Sequence, residues 1–407
     1  MSLAANPESE EPSRSSSPTI PFIILLAGLS AFGPISIDMY LPAFPAITKE
    51  FHAASGSAEI TLAAFLVSAG IGQAVYGPLS DRFGRRLPLI AGCLLYILGA
   101  IWAAMAHSIP ELTAARLLQG FGSSSGMVIG RAVVRDLYNQ NEAARMFSLL
   151  MLIMGAAPIL APWMGGELLG FMSWRGIFVV TALFGLVILG KTFLFLPETL
   201  PPQRRTRGGA KTALHNFKTL LTDKNFLGYV LTAGFTSGIL FSYISGSPTG
   251  LMKFYQLTPK QFSFLFAINA SGLILASQIN NFLLKRLEIT QILKWVVACS
   301  SALGLALILV SASGLGGVTL LMVCLFFTLF SLGLTFPNIA AAALAPHGKM
   351  AGSASALIGA MQFLLGGCGG ALVGLFNNGS AVPMCGVMAG AALCSFLSLH
   401  FLAFAKR

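Results

Sequence analysis

The sequence predicts an all-α membrane protein with twelve transmembrane helices in two six-helix halves. Three observations carry this. The chain is 55% hydrophobic and only 10% charged, against roughly 25% charged residues in a soluble globular domain. Apolar runs of the about 20 residues needed to cross about 30 Å of hydrocarbon recur from Ile20 to Phe404, separated by short polar breaks. The longest interior polar stretch, residues 197–225, falls between the sixth and seventh of these runs. Ten-residue alternation, the mark of a transmembrane barrel, does not occur.

The elements follow in chain order. Residues 1–19, which include Pro7-Glu8-Ser9-Glu10-Glu11-Pro12, are polar and lack a basic start and a small-residue cleavage site, so they read as a disordered cytoplasmic tail and not as a signal peptide. Turn signals and charges then delimit spans at 20–41, 58–79, 88–106, 110–131, 145–169 and 175–196, the first bundle. A cytoplasmic linker, 197–225, carries Arg204, Arg205, Arg207, Lys211, Lys218 and Lys224. The second bundle, 226–407, has spans at 226–246, 261–283, 292–312, 318–338, 351–373 and 382–404.

The formal charge of +11 has a topological meaning. Lys49, Arg175, Lys253 and Lys260 fall on one side, Arg116 and Lys191 fall inside spans, and the other basic residues fall on the side of the N-terminal tail. This positive-inside asymmetry puts both termini in the cytoplasm. A nucleic-acid surface would concentrate its charge on a folded face, whereas these residues sit in turns between helices, so no nucleic-acid partner is expected. The six cysteines (Cys93, Cys299, Cys324, Cys368, Cys385, Cys394) lie in apolar runs without metal-ligand spacing and read as small buried hydrophobes. The histidines are scattered and have no assigned role. No metal and no cofactor is implied, and no phosphate-cradling glycine loop is present.

The residues that carry function are a few charges and glycines. Asp38, in Ser36-Ile37-Asp38-Met39-Tyr40-Leu41-Pro42, is the one acid placed inside a span and away from its edge; Glu167 lies near an outer end, and the helices of the second half contain none. A carboxylate in hydrocarbon costs several kcal/mol unless it is paired or faces water, which makes Asp38 the candidate proton-coupling group. Arg116 is the candidate cation, late-to-early register placing both in the outer half of the membrane. Helical spacing puts Arg116, Gln119, Gly120, Ser123 and Met127 on one stripe expected to line the cavity. Two alternatives stay open for the pair: a permanent structural salt bridge, or no meeting at all. Tyr40 in the first half and Tyr243, Asn269, Asn338 and Gln362 in the second are the further cavity candidates, among many phenylalanines that mostly pack on helices or lipid.

After the second span comes Gly77-Pro78-Leu79-Ser80-Asp81-Arg82-Phe83-Gly84-Arg85-Arg86. The glycines suit tight turns and close helix approach, and Asp81 suits the positive N-terminal end of a helix in the other half. A contact of that kind would hold the cytoplasmic side shut in one state and break in the other. The stretch resembles the signature loop of the major facilitator superfamily, G-x-L-[SA]-D-R-x-G-R-R. Arg116-Leu117-Leu118-Gln119-Gly120 resembles the family's R-x-x-Q-G motif. Pro158-Ile159-Leu160-Ala161-Pro162-Trp163-Met164-Gly165-Gly166 resembles its antiporter motif in part, with Ala161 in place of a glycine; the prolines and Gly165 and Gly166 point to a kinked helix packed closely on a neighbour, with tight packing and a role against proton leak both open. The corresponding loop of the second half, around Asn281–Glu288, keeps Lys285 and Arg286 but not the glycine and aspartate pattern.

From Asp38 to Phe178, including Arg131-Ala132-Val133-Val134-Arg135-Asp136-Leu137-Tyr138 and Trp174-Arg175-Gly176-Ile177-Phe178, the chain looks like the Bcr/CflA branch of the drug:proton antiporters. The resemblance implies the major facilitator fold, a monomer in the inner membrane of a bacterium, and proton-driven export of small neutral or amphipathic molecules of phenicol or bicyclomycin type by alternating access. Ser30 stands where some related multidrug exporters carry a second acid, which speaks against strongly cationic substrates. The rival readings are a proton symporter or facilitator for a nutrient, such as a sugar, nucleoside or amino acid, and a membrane-embedded enzyme; no cluster at catalytic spacing supports the latter.

Overall fold

A computed structural model of the chain describes residues 20–205 and 209–404. The tail expected over residues 1–19 lies outside these. The first bundle contains α1 (Ile20–Asp38), a short α2 (Phe44–Glu50), α3 (Ser57–Phe83), α4 (Arg86–Met105), α5 (Ile109–Leu137), α6 (Gln140–Leu168) and α7 (Arg175–Phe195). After it come α8 (Gly209–Thr222) and the second bundle: α9 (Lys224–Ser247), α10 (Pro259–Leu283), α11 (Ile289–Ser313), α12 (Gly317–Leu344), α13 (Ala351–Leu375) and α14 (Val382–Ser398). The end of the molecule that carries Gly77–Arg86 is here termed inner, and the opposite end outer.

Among the described residues, ten helices are long and apolar enough to cross a membrane. Many carry apolar residues all round, as helices do when one face meets protein and the other lipid; Leu94, Leu98, Ile101 and Met105, for example, form an exposed stripe along α4. α5 is the instructive exception. It carries Glu111, Arg116, Arg131, Arg135 and three successive serines, and it keeps its polar groups by wedging between α1, α3 and α4. Its glycines make that possible: a Cβ would stand 2.2 Å from the Phe65 carbonyl oxygen at Gly120, 2.3 Å from the Tyr96 nitrogen at Gly122 and 2.5 Å from the Leu29 carbonyl oxygen at Gly126. Helix backbones meet there directly, as small residues allow in membranes.

Several helices outrun the apolar segments at their inner ends. α3 continues to Phe83, α5 to Leu137 and α12 to Leu344, and α6 already begins at Gln140. Beyond the hydrocarbon the polar residues there simply continue the helix into water. The start of α6 is set by a capping box, in which the Asn139 side chain accepts from the Glu142 N–H while the Glu142 carboxylate accepts from the Asn139 N–H. Much of the signature stretch, read from sequence as a loop, is accordingly the last turns of α3, and the chain turns only at Gly84 and Arg85.

The residues between the bundles also hold more structure than a polar linker. Leu214, Phe217 and Leu220 recur at helical spacing on α8, where Leu220 is fully buried and Leu214 and Phe217 border a cleft with Val75, Pro78 and Leu79 of α3. Asn216 donates to Ser353 Oγ at 3.2 Å, tying α8 to the start of α13.

The two bundles meet along α3 against α13 and α6 against α10. Their apolar cores show how. One buried cluster joins Phe44, Phe65 and Phe178 of the first bundle to Tyr243, Phe262 and Met388 of the second. At the inner end the cores separate: one cluster, around Leu29, Phe32 and Val133, belongs to the first bundle, and another, around Phe226, Val297 and Ala354, to the second and α8. The halves are therefore fused over their middle and outer parts and distinct at the inner end.

Candidate functional site

α1 delivers Asp38 to the middle of the fused region. The residue is 3% exposed, and its Oδ1 has no hydrogen-bond partner among the described residues. Gly165 of α6 allows the chain to pass close by, since a Cβ there would stand 2.2 Å from the Met39 carbonyl oxygen.

Arg116 is at the same level but is not the partner of Asp38: no ion pair joins them among the described residues. Its fully buried guanidinium donates to Gln119 Oε1 at 2.7 Å and to the Ser36 carbonyl oxygen at 3.1 Å. Its flat faces are covered by aromatic rings, with centroids 4.3 Å away at Phe65, 4.7 Å at Tyr40 and 5.7 Å at Phe178. Its Nε has no partner among the described residues, but with two donors bonded to neutral oxygens and its faces covered by rings the planar cation is held without a carboxylate. The permanent salt bridge is thus not formed among the described residues; Arg116 reaches α1 at Ser36, two residues before Asp38.

The aromatic box is itself held by hydroxyls. Thr61 donates to the Ala58 carbonyl oxygen at 2.7 Å, which leaves its oxygen to accept from the Tyr40 hydroxyl at 2.7 Å. Ser36 and the Tyr96 hydroxyl are 2.7 Å apart, and Gln119 Nε2 reaches Thr181 Oγ1 at 3.5 Å. Phe65, Thr61, Tyr96 and Thr181 are the members of this site that sequence reading passed over, because nothing local distinguishes them from packing residues.

The stripe on α5 does not line an open cavity in this state. Gln119 and Ser123 are buried, Ser123 bonding back to the Gly120 carbonyl oxygen at 2.8 Å; Gly120 packs on α3, and the Met127 sulfur lies near Gly33 of α1. On the other side of the junction, Asn269 donates to the Tyr243 hydroxyl at 3.1 Å and leaves its own Oδ1 without a partner among the described residues, while the Tyr243 ring stacks on Phe266. Asn338 is elsewhere. It donates to Asn280 Oδ1 at 2.6 Å and to the Leu334 carbonyl oxygen at 2.8 Å, a clasp between α12 and α10 within the second bundle. Gln362 is half-buried on α13. The structure thus groups Tyr243 with Asn269, and Arg116 with Tyr40 and Gln119.

At the inner end, Arg85 organises the signature stretch. It pairs with Asp81 one turn earlier, donates to Asp136 Oδ2 of α5 at 2.8 Å and to Ser80 Oγ at 2.9 Å. Glu198, just after α7, accepts from the Arg85 N–H at 2.8 Å and the Arg86 N–H at 3.3 Å, so it caps the start of α4, whose own N-cap side chain does not. Burial pushes the Glu198 carboxyl up, but the N–H groups of Leu200, Arg85 and Arg86 and the Arg205 guanidinium outweigh it and hold the carboxyl below its ordinary range. Gly84 is required twice over: its φ is +91°, and a Cβ would meet Glu198 Oε2 at 2.2 Å. Arg82 lies over the Phe83 ring, and Arg86 donates to the Phe193 carbonyl oxygen at 3.0 Å.

Gly77 corrects an expectation. A Cβ there meets nothing within 4 Å, so in this state it serves neither a turn nor a close approach. It borders a cavity of about 200 Å³ together with Asp81, Arg85, Arg131, Arg135 and, from the first turns of α13, Gly352 and Ser355. Asp81 and the start of α13 line this space together.

The partial antiporter motif lies at the other junction. Pro158 and Pro162 lie within one continuous helix, α6. The Pro162 carbonyl oxygen accepts from Ser263 of α10 at 3.1 Å, and Gly166 packs near the same serine. Around it, Glu167 pairs with Lys260 at 3.2 Å. The outer end of the first bundle is tied by Glu50, which accepts from Trp174 Nε1 at 2.6 Å and pairs with Arg175, whose Nη2 donates to the Ala106 carbonyl oxygen at 2.9 Å.

Two helical bundles packed along α3–α13 and α6–α10, with Asp38 buried in the fused region and separate cores at the inner end, are the build of a membrane transporter that works by alternating exposure of a central site. Residues 24–371 match the model of the Major Facilitator Superfamily, and the chain belongs to that family. It is 37% identical over 366 residues to an uncharacterised transporter of the same superfamily, YdgK of Bacillus subtilis, covering 89% of this chain and 90% of that one. It is 30% identical over 384 residues to the bicyclomycin resistance protein homolog of Haemophilus influenzae, covering 94% and 96%, and 31% identical over 349 residues to multidrug resistance protein D of Escherichia coli, covering 84% and 85%. Among solved structures, the nucleoside transporter NupG superposes with a TM-score of 0.72 at 17% identity, over 94% of this chain and 100% of that one. That likeness is one of fold.

Proposed function

We propose that this protein is a proton-coupled antiporter that exports small neutral or amphipathic drug-like molecules, of phenicol or bicyclomycin type, across the inner membrane of a bacterium. Its termini face the cytoplasm, it works as a monomer, and bundles 20–196 and 226–407 rock about the linker 197–225. The observation that carries the reading is Asp38: a carboxylate 3% exposed, in the fused region of the halves, with no ion pair among the described residues. Holding an ionised carboxylate in such a setting costs several kcal/mol, so a proton gained or lost there changes which arrangement of the halves is favoured. Asp38 takes a proton while the centre faces outward and releases it inward. Each charge carried down the potential supplies about 2.3 kcal/mol per 100 mV.

The names of the relatives support drug export. The local chemistry supports neutral substrates with hydrogen-bond donors: Asp38 Oδ1 and Asn269 Oδ1 present two acceptors, one from each half, without partners among the described residues, and the cation Arg116 already bonds to neutral groups. An inner cavity bordered by Asp81 and the start of α13 is the place where the signature stretch acts, closing when the halves rock the other way.

The test is accumulation of radiolabelled chloramphenicol in cells that express the wild type or Asp38→Asn at equal level, with and without a protonophore. Lowered accumulation that both the protonophore and the substitution abolish is the expected result. Raised accumulation in wild-type cells would make the protein an importer and end the proposal.

A further inference from the structure

The mechanism above leaves one buried acid unused. Glu59 lies in the first turn of α3, where a carboxylate ordinarily faces water and complements the helix dipole. Here it is 1% exposed, because the second bundle covers it. Thr249, just after α9, donates to Glu59 Oε1 at 2.6 Å, and Asn377, just after α13, donates to the same oxygen at 2.7 Å. Oε2 has no side-chain donor among the described residues. The arrangement accommodates a neutral carboxyl, since a carbonyl oxygen can accept both bonds while the other oxygen carries a proton, and no ion pair holds an ionised one among the described residues.

The contact is also the seal between the halves at the outer end. Beside it, Gly56 lies against the backbone of Gly374 so closely that a Cβ would stand 1.9 Å from the Gly374 carbonyl oxygen. Lys253 donates to Ser55 Oγ at 2.9 Å and forms no ion pair with Glu59. Above lies an outer groove of about 960 Å³ whose wall includes Ser55, Gly56, Thr249 and Lys253. Parting of the halves at this end breaks both bonds to Glu59 and opens it to that groove.

We propose that Glu59 is a second proton-binding site of the transporter: it takes a proton from the outer groove, and the outer ends of the halves close over the neutral carboxyl through Thr249 and Asn377. Closure over an ionised Glu59 would bury a charge with only neutral donors on it, a cost of several kcal/mol. The titratable groups around it are Lys253 on the segment after α9, held by Ser55; Tyr40 after α1, held by Thr61; and Lys49, Glu50 and His52 on the groove wall. The loop 376–381 offers only neutral groups. The direction fits export, since an external proton then favours closure after the substrate has left. This step rests on the orientation given under Proposed function.

The experiment measures the distance between spin labels at Ala54 and Asn378, exposed on opposite halves, in an otherwise cysteine-free full-length protein in lipid nanodiscs without drug. In the wild type, the ratio of closed to open outer end rises as pH falls from 8 to 5, by up to about tenfold per pH unit, the limit for one proton. In an Asp38→Asn background, which silences the central carboxyl, the pH response persists, and adding Glu59→Gln, which keeps the accepting oxygen, abolishes it and leaves the outer end closed throughout. A double variant that still titrates overturns the inference. So does loss of the response in Asp38→Asn alone, a result that would leave the role of Asp38 standing. A Glu59-dependent response in a protein that exports nothing would instead sink the drug reading and keep this site. Thr249→Val guards against a failure of Glu59→Gln to fold: it removes one donor to the closed state and lowers the closed fraction at every pH, and an unchanged fraction counts against the proposal.

Discussion

Arg116 tests whether the buried cation is held by neutral groups or by a hidden acid. Replacing it with methionine removes the donors of Gln119 Oε1 and the Ser36 carbonyl oxygen, at about 1–3 kcal/mol for each buried acceptor left unmet, and loses the cation's attraction to the Phe65 and Tyr40 rings, about 0.5–2 kcal/mol. Against this stands relief from burying a guanidinium, which by itself costs several kcal/mol. The terms nearly cancel, and Arg116→Met should change stability by no more than about 2 kcal/mol. Arg116→Lys keeps the charge but gives up the planar fork, so one ammonium cannot serve both acceptors and fill the space between the rings. It should therefore be the less stable variant, by about 2–4 kcal/mol relative to wild type. Unfolding of both proteins by SDS in mixed micelles, followed by tryptophan fluorescence, gives the order. Near-wild-type stability in Arg116→Lys with a loss of more than about 4 kcal/mol in Arg116→Met would show that an anion, with Asp38 the only candidate at that level, holds the charge after all.

Two glycines and one acid give further tests. Gly120→Ala drives a Cβ to 2.2 Å from the Phe65 carbonyl oxygen and should cost about 1–3 kcal/mol through displacement of α5 from α3, read in the same SDS titration. Gly77→Ala meets nothing and should hold or raise stability by up to about 1 kcal/mol, yet slow transport in proteoliposomes because the inner cavity must close around it; a destabilised protein contradicts the placement. Glu198 has a carboxyl held below its ordinary 4.5, so its contribution is fully present above that value and is lost as pH falls through the lowered one. The thermal stability gap between wild type and Glu198→Gln should be open at neutral pH and close in acid, and a gap that widens in acid would reverse the sign.

The apolar runs made the twelve spans legible because hydrocarbon allows few alternatives for a backbone. Their inner ends were less legible, since Asp81, Asp136 and Asn139 continue or cap helices in water as readily as they form loops. Asp38 stood out for the same reason as the spans: an acid in hydrocarbon needs a purpose. Arg116 stood out as well, with Gln119 one turn on, but the aromatic box did not, because Tyr40, Phe65 and Phe178 come from the turn after α1, from α3 and from α7. Glu59 was hidden by its position, since a first-turn acid looks like an ordinary helix terminus until the second bundle covers it. Glu198 was hidden likewise, its task being to cap a helix more than a hundred residues earlier. Asn338 read as a cavity residue because its polarity was visible and its partner, Asn280, was not.

The central claim is that Asp38 exchanges protons for substrate, and the most direct test is proton movement in proteoliposomes under an imposed chloramphenicol gradient, followed with a trapped pH-sensitive dye. In wild-type vesicles protons should move against the direction of drug flow, and Asp38→Asn should abolish that movement while still binding the drug. Protons that move with the drug, or a proton flux undiminished in Asp38→Asn, would contradict the account.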